Sequence, residues 1–134
     1  MIPASRSIYR TILIVVILSS CRAGYRSALY TFITGVRDRD TEIVSGVSCS
    51  LFVERIEADR HYLDRMIDRF EMKFGTITST DARRGDSDKA VLEVHLHTTT
   101  RQYSALFSVP VVEEDGVSKF CPQSEILDFV RLLD

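Results

Sequence analysis

Two histidines and a glutamate alternate along one predicted strand. Glu93, His95 and His97 are separated by single residues, so their side chains point to the same face of an extended segment. Imidazole and carboxylate groups bind zinc and similar metals, and two imidazoles are half of a tetrahedral set. Although Glu93 shares this face, the sequence alone fixes no third ligand for the two imidazoles, and His61 is separate, at the start of a predicted helix. We therefore interpret this face as polar surface and expect no metal and no cofactor.

The tripeptide Arg84-Gly85-Asp86 is the one that integrins bind. It falls where a hairpin turn is needed, over residues 84–87, and the backbone freedom of Gly85 is typical of a turn. We therefore interpret it as a turn. The sequence contains no phosphate loop, zinc-protease helix motif, nucleophile elbow or dinucleotide fingerprint. We assign no catalytic residue and expect a non-enzymatic protein.

Length and composition predict one ordinary globular domain. The chain has 134 residues, of which 45% are hydrophobic and 27% charged. The formal net charge is −2; without Arg6 and Arg10 the 17 basic residues fall to 15 against 19 acidic ones, a net charge of −4. A nucleic-acid-binding protein needs a concentrated basic face, so we expect no nucleic-acid partner.

The first twenty residues have the pattern of an export signal. Residues 1–10 carry two arginines and no acid, and residues 11–20 are a short apolar run. A membrane-spanning helix needs about 20 apolar residues, which is roughly twice this run. We therefore predict a signal peptide over residues 1–20 rather than a permanent transmembrane helix.

The run ends in Leu18-Ser19-Ser20-Cys21, which resembles the lipobox of bacterial lipoproteins. The resemblance implies cleavage before Cys21 and attachment of a diacylglycerol to its thiol, whose two acyl chains would hold the protein at the membrane. Residues 21–24 would then be a lipidated N-terminus with a short tether, on the outward-facing side of the cell membrane. The alternative is a secreted protein, with an ordinary signal cut near Ala23 and Cys21 discarded.

Helical patterns fill the first half of the remaining chain. The first helix carries one apolar stripe, and a charged turn ends it near Asp38 and Asp40. A second short helix begins at Thr41, and a third follows Asp59 as its cap and ends at Gly75. The apolar positions of the first and third helices are Tyr25, Leu29, Phe32, Ile33 and Val36, then Leu63, Met66, Ile67 and Phe70.

The second half alternates with period two. Residues 76–83, 90–97 and 102–109 are predicted strands, the last two with one apolar and one polar face. Pro110 belongs at an edge or bulge. A hairpin at Glu114-Asp115-Gly116 leads to a closing strand over residues 117–121, and residues 123–133 are predicted to be a short C-terminal helix.

Helices followed by hairpin strands predict an α+β fold, with the N-terminal helices packed on one face of a curved antiparallel sheet. Three features carry a resemblance to the cone-shaped domains of the nuclear transport factor two-like superfamily, in particular to exported actinobacterial lipoproteins. They are the segment Phe32–Asp40, Cys49 on the second helix, and the segment Asp115–Cys121. Residues 25–134 would form this single cone-like domain.

The resemblance and the export signal both imply a disulfide between Cys49 and Cys121, because these two cysteines remain once Cys21 is lipidated. Two buried free thiols are the alternative.

The resemblance also raises an enzymatic alternative. Some members of the superfamily place an acid beside a tyrosine or histidine in the mouth of the cone, where the acid shuttles a proton. The candidates are Asp38, Asp40, Tyr25, Tyr30, Tyr62 and Tyr103.

The expected function is that of a cell-envelope lipoprotein with a non-enzymatic binding or assembly domain. Its partners would be the membrane, through the lipid anchor, and an envelope protein. The alternative is a small-ligand carrier or an isomerase- or cyclase-like enzyme that uses the cone cavity. The oligomeric state stays open.

Overall fold

The structure, a computed structural model, describes residues 26–133, which form four helices followed by five strands. The helices are α1 (residues 26–37), α2 (Thr41–Val47), α3 (Ser50–Ala58) and α4 (Tyr62–Phe74). The strands are β1 (Thr76–Asp86), β2 (Lys89–His97), β3 (Gln102–Glu114), β4 (Val117–Phe120) and β5 (Asp128–Leu133). The predicted α+β class, with helices preceding a curved antiparallel sheet, is confirmed.

The sheet runs in the order β1-β2-β3-β4, with every pair antiparallel, and β5 also pairs with β3. The long strand β3 therefore has two partners along one edge. Its first part pairs with β5 from Ser104 to Ser108, and its last part pairs with β4 from Val111 to Glu114. Pro110 lies between these two parts, where a residue without a backbone N–H interrupts neither ladder.

The core lies between the helices and one face of the sheet. The predicted apolar stripe of α4 is buried, and so is that of α1 from Leu29 to Val36, the part that the structure describes. Phe70 of α4 packs on Phe107 of β3 with ring centroids 5.2 Å apart. Alternate residues of β2 and β3 complete this core, as the period-two pattern predicted. The buried strand residues are Ala90, Leu92, Val94, Leu96, Ala105, Phe107 and Val109.

The chain turns at two predicted positions by adopting positive φ angles. Gly75 ends α4 with φ 109°, and a Cβ atom there would lie 2.7 Å from the carbonyl oxygen of His97. Asp115 and Gly116, with φ 53° and 77°, form the two-residue hairpin between β3 and β4. Such angles at both central residues are the reason that Asp-Gly is favoured in hairpins.

The prediction of a C-terminal helix is wrong. Asp128–Leu133 form β5, which pairs with the free edge of β3. Ile126 and Leu127, which precede the strand, are buried, whereas Val130 is half exposed. An isolated helix this short is marginal in water, whereas a strand on an open edge gains backbone hydrogen bonds from its neighbour at once.

The prediction of a single helix through Cys49 is also wrong. The chain breaks at Ser48 and Cys49, both in extended conformation, and α3 begins at Ser50. The break brings Ser48 beside Phe120 in an isolated bridge, and the Cys49 N–H donates to the Phe120 carbonyl at 2.8 Å. The helix is interrupted here because the Cys49 N–H pairs with the sheet instead of with the preceding helical turn.

Arg84-Gly85-Asp86 is not the turn between β1 and β2, which falls at Ser87 and Asp88. The tripeptide forms the irregular end of β1, where the pairing register with β2 shifts between Arg83 and Asp86. The prediction of a turn at residues 84–87 is therefore wrong by about two residues.

Candidate functional site

The face of the sheet away from the helices carries a cluster of three potential metal ligands. Glu93 and His95 lie two residues apart on β2, and Asp81 lies directly across from Glu93 on β1. The His95 Nε2 atom is 3.1 Å from Glu93 Oε2 and 3.9 Å from Asp81 Oδ2. One ligand atom from each residue lies within 4.8 Å of the other two.

Two neighbouring side chains hold this cluster in place. Ser104, across from His95 on β3, has its hydroxyl oxygen 2.7 Å from His95 Nδ1. Arg83 donates to Glu93 Oε1 at 2.6 Å. The hydrogen bond and the positive charge of Arg83, together with His95, lower the pKa of Glu93 below its ordinary value, so this carboxylate is ionised at neutral pH.

The other two histidines lie elsewhere. His97 is exposed at the end of β2 and is not part of the cluster, although it shares the strand face with His95. His61, predicted at a helix start, is the N-cap residue of α4 and lies near Arg60. The predicted cap, Asp59, is instead the C-cap of α3, and its carboxylate accepts from the His61 N–H at 3.0 Å. The cluster therefore contains one imidazole and two carboxylates, although the sequence has two imidazoles on this strand face.

Asp81 is the residue that sequence reasoning missed. Strand alternation places Glu93 and His95 on one face, but the residue that faces them from β1 depends on the hairpin register. The register is regular from Ser79 to Arg83, between two irregularities at residues 77–79 and 83–86. The only feature of the sequence that could have pointed to Asp81 is the presence of a charged residue in a threonine-rich strand.

Within residues 26–133, the acids proposed for the mouth of a cone make their contacts in the turn after α1 and not with a tyrosine. Asp38 is exposed and lies 3.6 Å from Arg37. Asp40 is the N-cap of α2, where its carboxylate accepts from the Ile43 N–H at 3.1 Å. Both positions are explained by the turn that separates α1 from α2.

The tyrosines bond to the backbone instead. The hydroxyl of Tyr103 donates to the Phe74 carbonyl at 2.5 Å, and that of Tyr62 to the Gln123 carbonyl at 3.4 Å. Tyr30 accepts from the Ala82 N–H at 3.4 Å. These contacts tie helices to the sheet and its following loop; Tyr25 lies outside the described residues.

The space between helices and sheet is filled with side chains. Leu92, Val94 and Phe107, which would line a cavity of the cone, are at most 1% exposed and belong to one continuous core. Recesses such as the one beside Tyr30 and Ile43 are open surface grooves. Within the described part of the chain, we find no acid and tyrosine facing each other across an enclosed cavity.

Cys49 and Cys121 form a disulfide, as predicted. Their Cα atoms are 5.1 Å apart, inside the span that a disulfide bridges. The bond joins the break between α2 and α3 to the end of β4. The predicted signal peptide and Cys21 lie outside the described residues.

The chain matches no protein-family model, and no curated protein is significantly similar to it. Within residues 26–133, no helix is long and apolar enough to cross a membrane.

Proposed function

We propose that this protein is a lipid-anchored domain of the cell envelope that binds a partner through its surface and catalyses no reaction of its own. The observation that carries the proposal is the filled core. A substrate pocket of a cone-shaped domain lies between helices and sheet, and in the described residues that volume belongs to apolar side chains. Binding then falls to the outer surface.

The placement of the candidate acids also supports a binding domain over an isomerase-like enzyme. A proton-shuttling acid must lie within hydrogen-bond reach of its substrate and of a neutral donor. Asp40 instead caps a helix, and the hydroxyls of Tyr62 and Tyr103 bond to backbone carbonyls.

The anchor and the compartment rest on the sequence and the disulfide. The lipobox-like segment ending at Cys21 provides a thiol for a diacylglycerol. The disulfide between Cys49 and Cys121 fits an oxidising compartment outside the cytoplasm. The cone-shaped lipoprotein family named above remains the proposed relationship.

The anchor is tested by intact mass and fractionation of the expressed full chain. Wild-type protein should carry a diacylglycerol adduct and sediment with membranes, and Cys21→Ala should lose both. The matched control is the double variant Cys49→Ala/Cys121→Ala, which keeps Cys21 and should keep the adduct. Wild-type protein found wholly in the medium without an adduct contradicts the anchor.

The binding role is tested by affinity capture from detergent-solubilised envelope. We expect one envelope protein to co-purify in a fixed ratio and to bind the purified full chain saturably. The proposal is contradicted if the anchored protein captures no partner and instead binds a small molecule between the helices and the sheet, where the core side chains now lie.

A further inference from the structure

We propose that Asp81, Glu93 and His95 bind one divalent transition-metal ion, such as zinc, on the face of the sheet away from the helices. The proposal goes beyond the binding role above and does not depend on it. It rests on three ligand-bearing side chains that two adjacent strands bring within 4.8 Å of one another.

The spacing of the ligand atoms suits a small ion. A tetrahedral ion with bonds of about 2.0–2.2 Å places its ligand atoms roughly 3.3–3.6 Å apart. The distances from His95 Nε2 to the carboxylate oxygens of Glu93 and Asp81 are 3.1 and 3.9 Å, on either side of that value. The Asp81 side chain, which makes the longer of the two distances, is 65% exposed and therefore has room to rotate toward an ion.

The environment of His95 is that of a metal ligand. Metal-bound histidines usually donate their second ring N–H to a fixed oxygen, which holds the ring orientation and the tautomer. Ser104 provides that oxygen, 2.7 Å from Nδ1. Its hydroxyl can accept from Nδ1–H. A metal ion that replaces a proton on Nε2 would then take the Nε2 lone pair, on the side where the two carboxylates lie.

Glu93 keeps one oxygen for the ion. Arg83 is hydrogen-bonded to Oε1, whereas Oε2 faces His95. Arg83 therefore orients the carboxylate without occupying the side of it that the ion needs. The two carboxylates supply a charge of −2 that balances a divalent cation, and the Arg83 charge weakens the site relative to one without it.

The imidazole decides the class of metal. Calcium and magnesium take oxygen ligands in sets of six or more, whereas zinc and its neighbours accept mixed nitrogen and oxygen sets of four. Three protein ligands leave one position for water. Asp81 and His95, with side chains 65% and 37% exposed, place that position at the solvent boundary.

The test uses the full chain purified in detergent without a polyhistidine tag and stripped of metal by a chelator. Calorimetric titration with zinc chloride should give one equivalent, and magnesium chloride should give no binding. Cobalt(II) should give the intense visible bands of four-coordinate geometry. His95→Ala and Asp81→Asn should each weaken zinc binding at least tenfold, and Ser104→Ala should weaken it about tenfold.

The control is His97→Ala, which removes an exposed imidazole from the same strand face and should leave zinc affinity within about twofold. Circular dichroism verifies that each variant is folded, and Asp81→Asn conserves shape at an exposed position. The proposal is overturned if wild-type protein binds no zinc at millimolar concentration, or if His95→Ala and Asp81→Asn both bind as the wild type does. The three residues would then form a hydrogen-bonded surface cluster alone.

Discussion

Gly85 is required by a close approach of backbone rather than by an unusual φ angle. A Cβ atom at this position would lie 2.3 Å from the carbonyl oxygen of Lys89 and 3.1 Å from the amide nitrogen of Val91. Both atoms belong to β2, so a side chain could be admitted only by separating β1 from β2.

We therefore predict that Gly85→Ala lowers the free energy of unfolding by about 1–3 kcal/mol. The matched control is Gly46→Ala, inside α2, where the added methyl meets nothing within 4 Å. It should raise the same quantity by about 0.5–1 kcal/mol, since alanine favours helix. Urea unfolding measures both, and changes of the same sign would contradict the assignment.

Glu114 acts as a cap for α3 from a distant strand. The N-cap residue Cys49 supplies no side-chain hydrogen bond, and Glu114 instead accepts from the Ser50 N–H at 3.0 Å and from its hydroxyl at 2.9 Å. The backbone hydrogen bond from Ser50, then the hydrogen bond from its hydroxyl and the charge of Lys119, lower the pKa of Glu114 below its ordinary value in the folded protein.

A carboxylate whose pKa is lowered by folding stabilises the folded protein. This stabilisation is fully present when the pH is above the pKa of the unfolded state, and it is lost as the pH falls through the pKa of the folded state. Glu114→Gln should therefore destabilise the protein at pH 7, and its difference from wild type in unfolding free energy should shrink as the pH falls below about 4.3, the ordinary pKa of glutamate. The adjacent, exposed Glu113→Gln is the control and should show no such convergence. Denaturant unfolding at several pH values measures these differences in unfolding free energy. If the difference between wild type and Glu114→Gln stayed constant with pH, the capping role would be refuted.

The strand β5 is held by aromatic packing as well as by backbone pairing. Phe129 lies across from Phe107 and stacks on Phe74, with ring centroids 5.9 and 5.7 Å away. Val130 is the extra residue at the register shift and has no partner residue in β3. The two side chains are nevertheless equally exposed, at 48% and 49%.

This contrast yields a paired prediction. Phe129→Ala should cost about 1–2 kcal/mol and increase amide exchange throughout β5, because the strand loses its aromatic contacts. Val130→Ala should cost under about 0.5 kcal/mol. Hydrogen exchange measured by mass spectrometry reports on both variants; equal exchange in the two would show that backbone pairing alone holds the strand.

The errors of the sequence prediction have physical causes at this scale. Apolar residues at 126, 129, 130 and 133 match helical spacing, and only the open edge of β3 makes the end of the chain a strand. A turn at residues 84–87 would have placed Thr78 opposite Glu93. The turn at Ser87 and Asp88, together with the register shift between Arg83 and Asp86, places Asp81 there instead. Periodicity predicts which face a residue occupies, but register depends on turn geometry, which periodicity does not contain.

At the scale of the whole molecule, the predictable part is the part that burial dictates. The class and the apolar faces of α1, α4, β2 and β3 follow from patterns that a core imposes on the chain. The cysteine pair is implied instead by the family resemblance and the export signal. The cluster of Asp81, Glu93 and His95 lies on the outer face, where no core selects residue types. Which residues form this cluster depends on the contacts between neighbouring strands, and those contacts exist only in the folded chain.

The disulfide links the helical half of the chain to the sheet. Cys49 and Cys121 are 72 residues apart in sequence, and closing a loop of that length contributes about 4 kcal/mol on the chain-entropy model. The Ser48–Phe120 bridge and the hydrogen bond from the Cys49 N–H join the same two segments without the sulfurs. The bond therefore reinforces a contact that the backbone already makes.

We predict that Cys49→Ala/Cys121→Ala folds to the same secondary structure but loses about 2–4 kcal/mol of unfolding free energy. The half-cystines are only 1% and 8% exposed, so a thiol reductant should reduce the native protein slowly and the protein in denaturant quickly. Thiol labelling followed over time measures the two rates, and urea unfolding measures the stability. Reduction at equal rates in both conditions would show that the disulfide is accessible in the native state. That result would contradict its burial between the helices and the sheet.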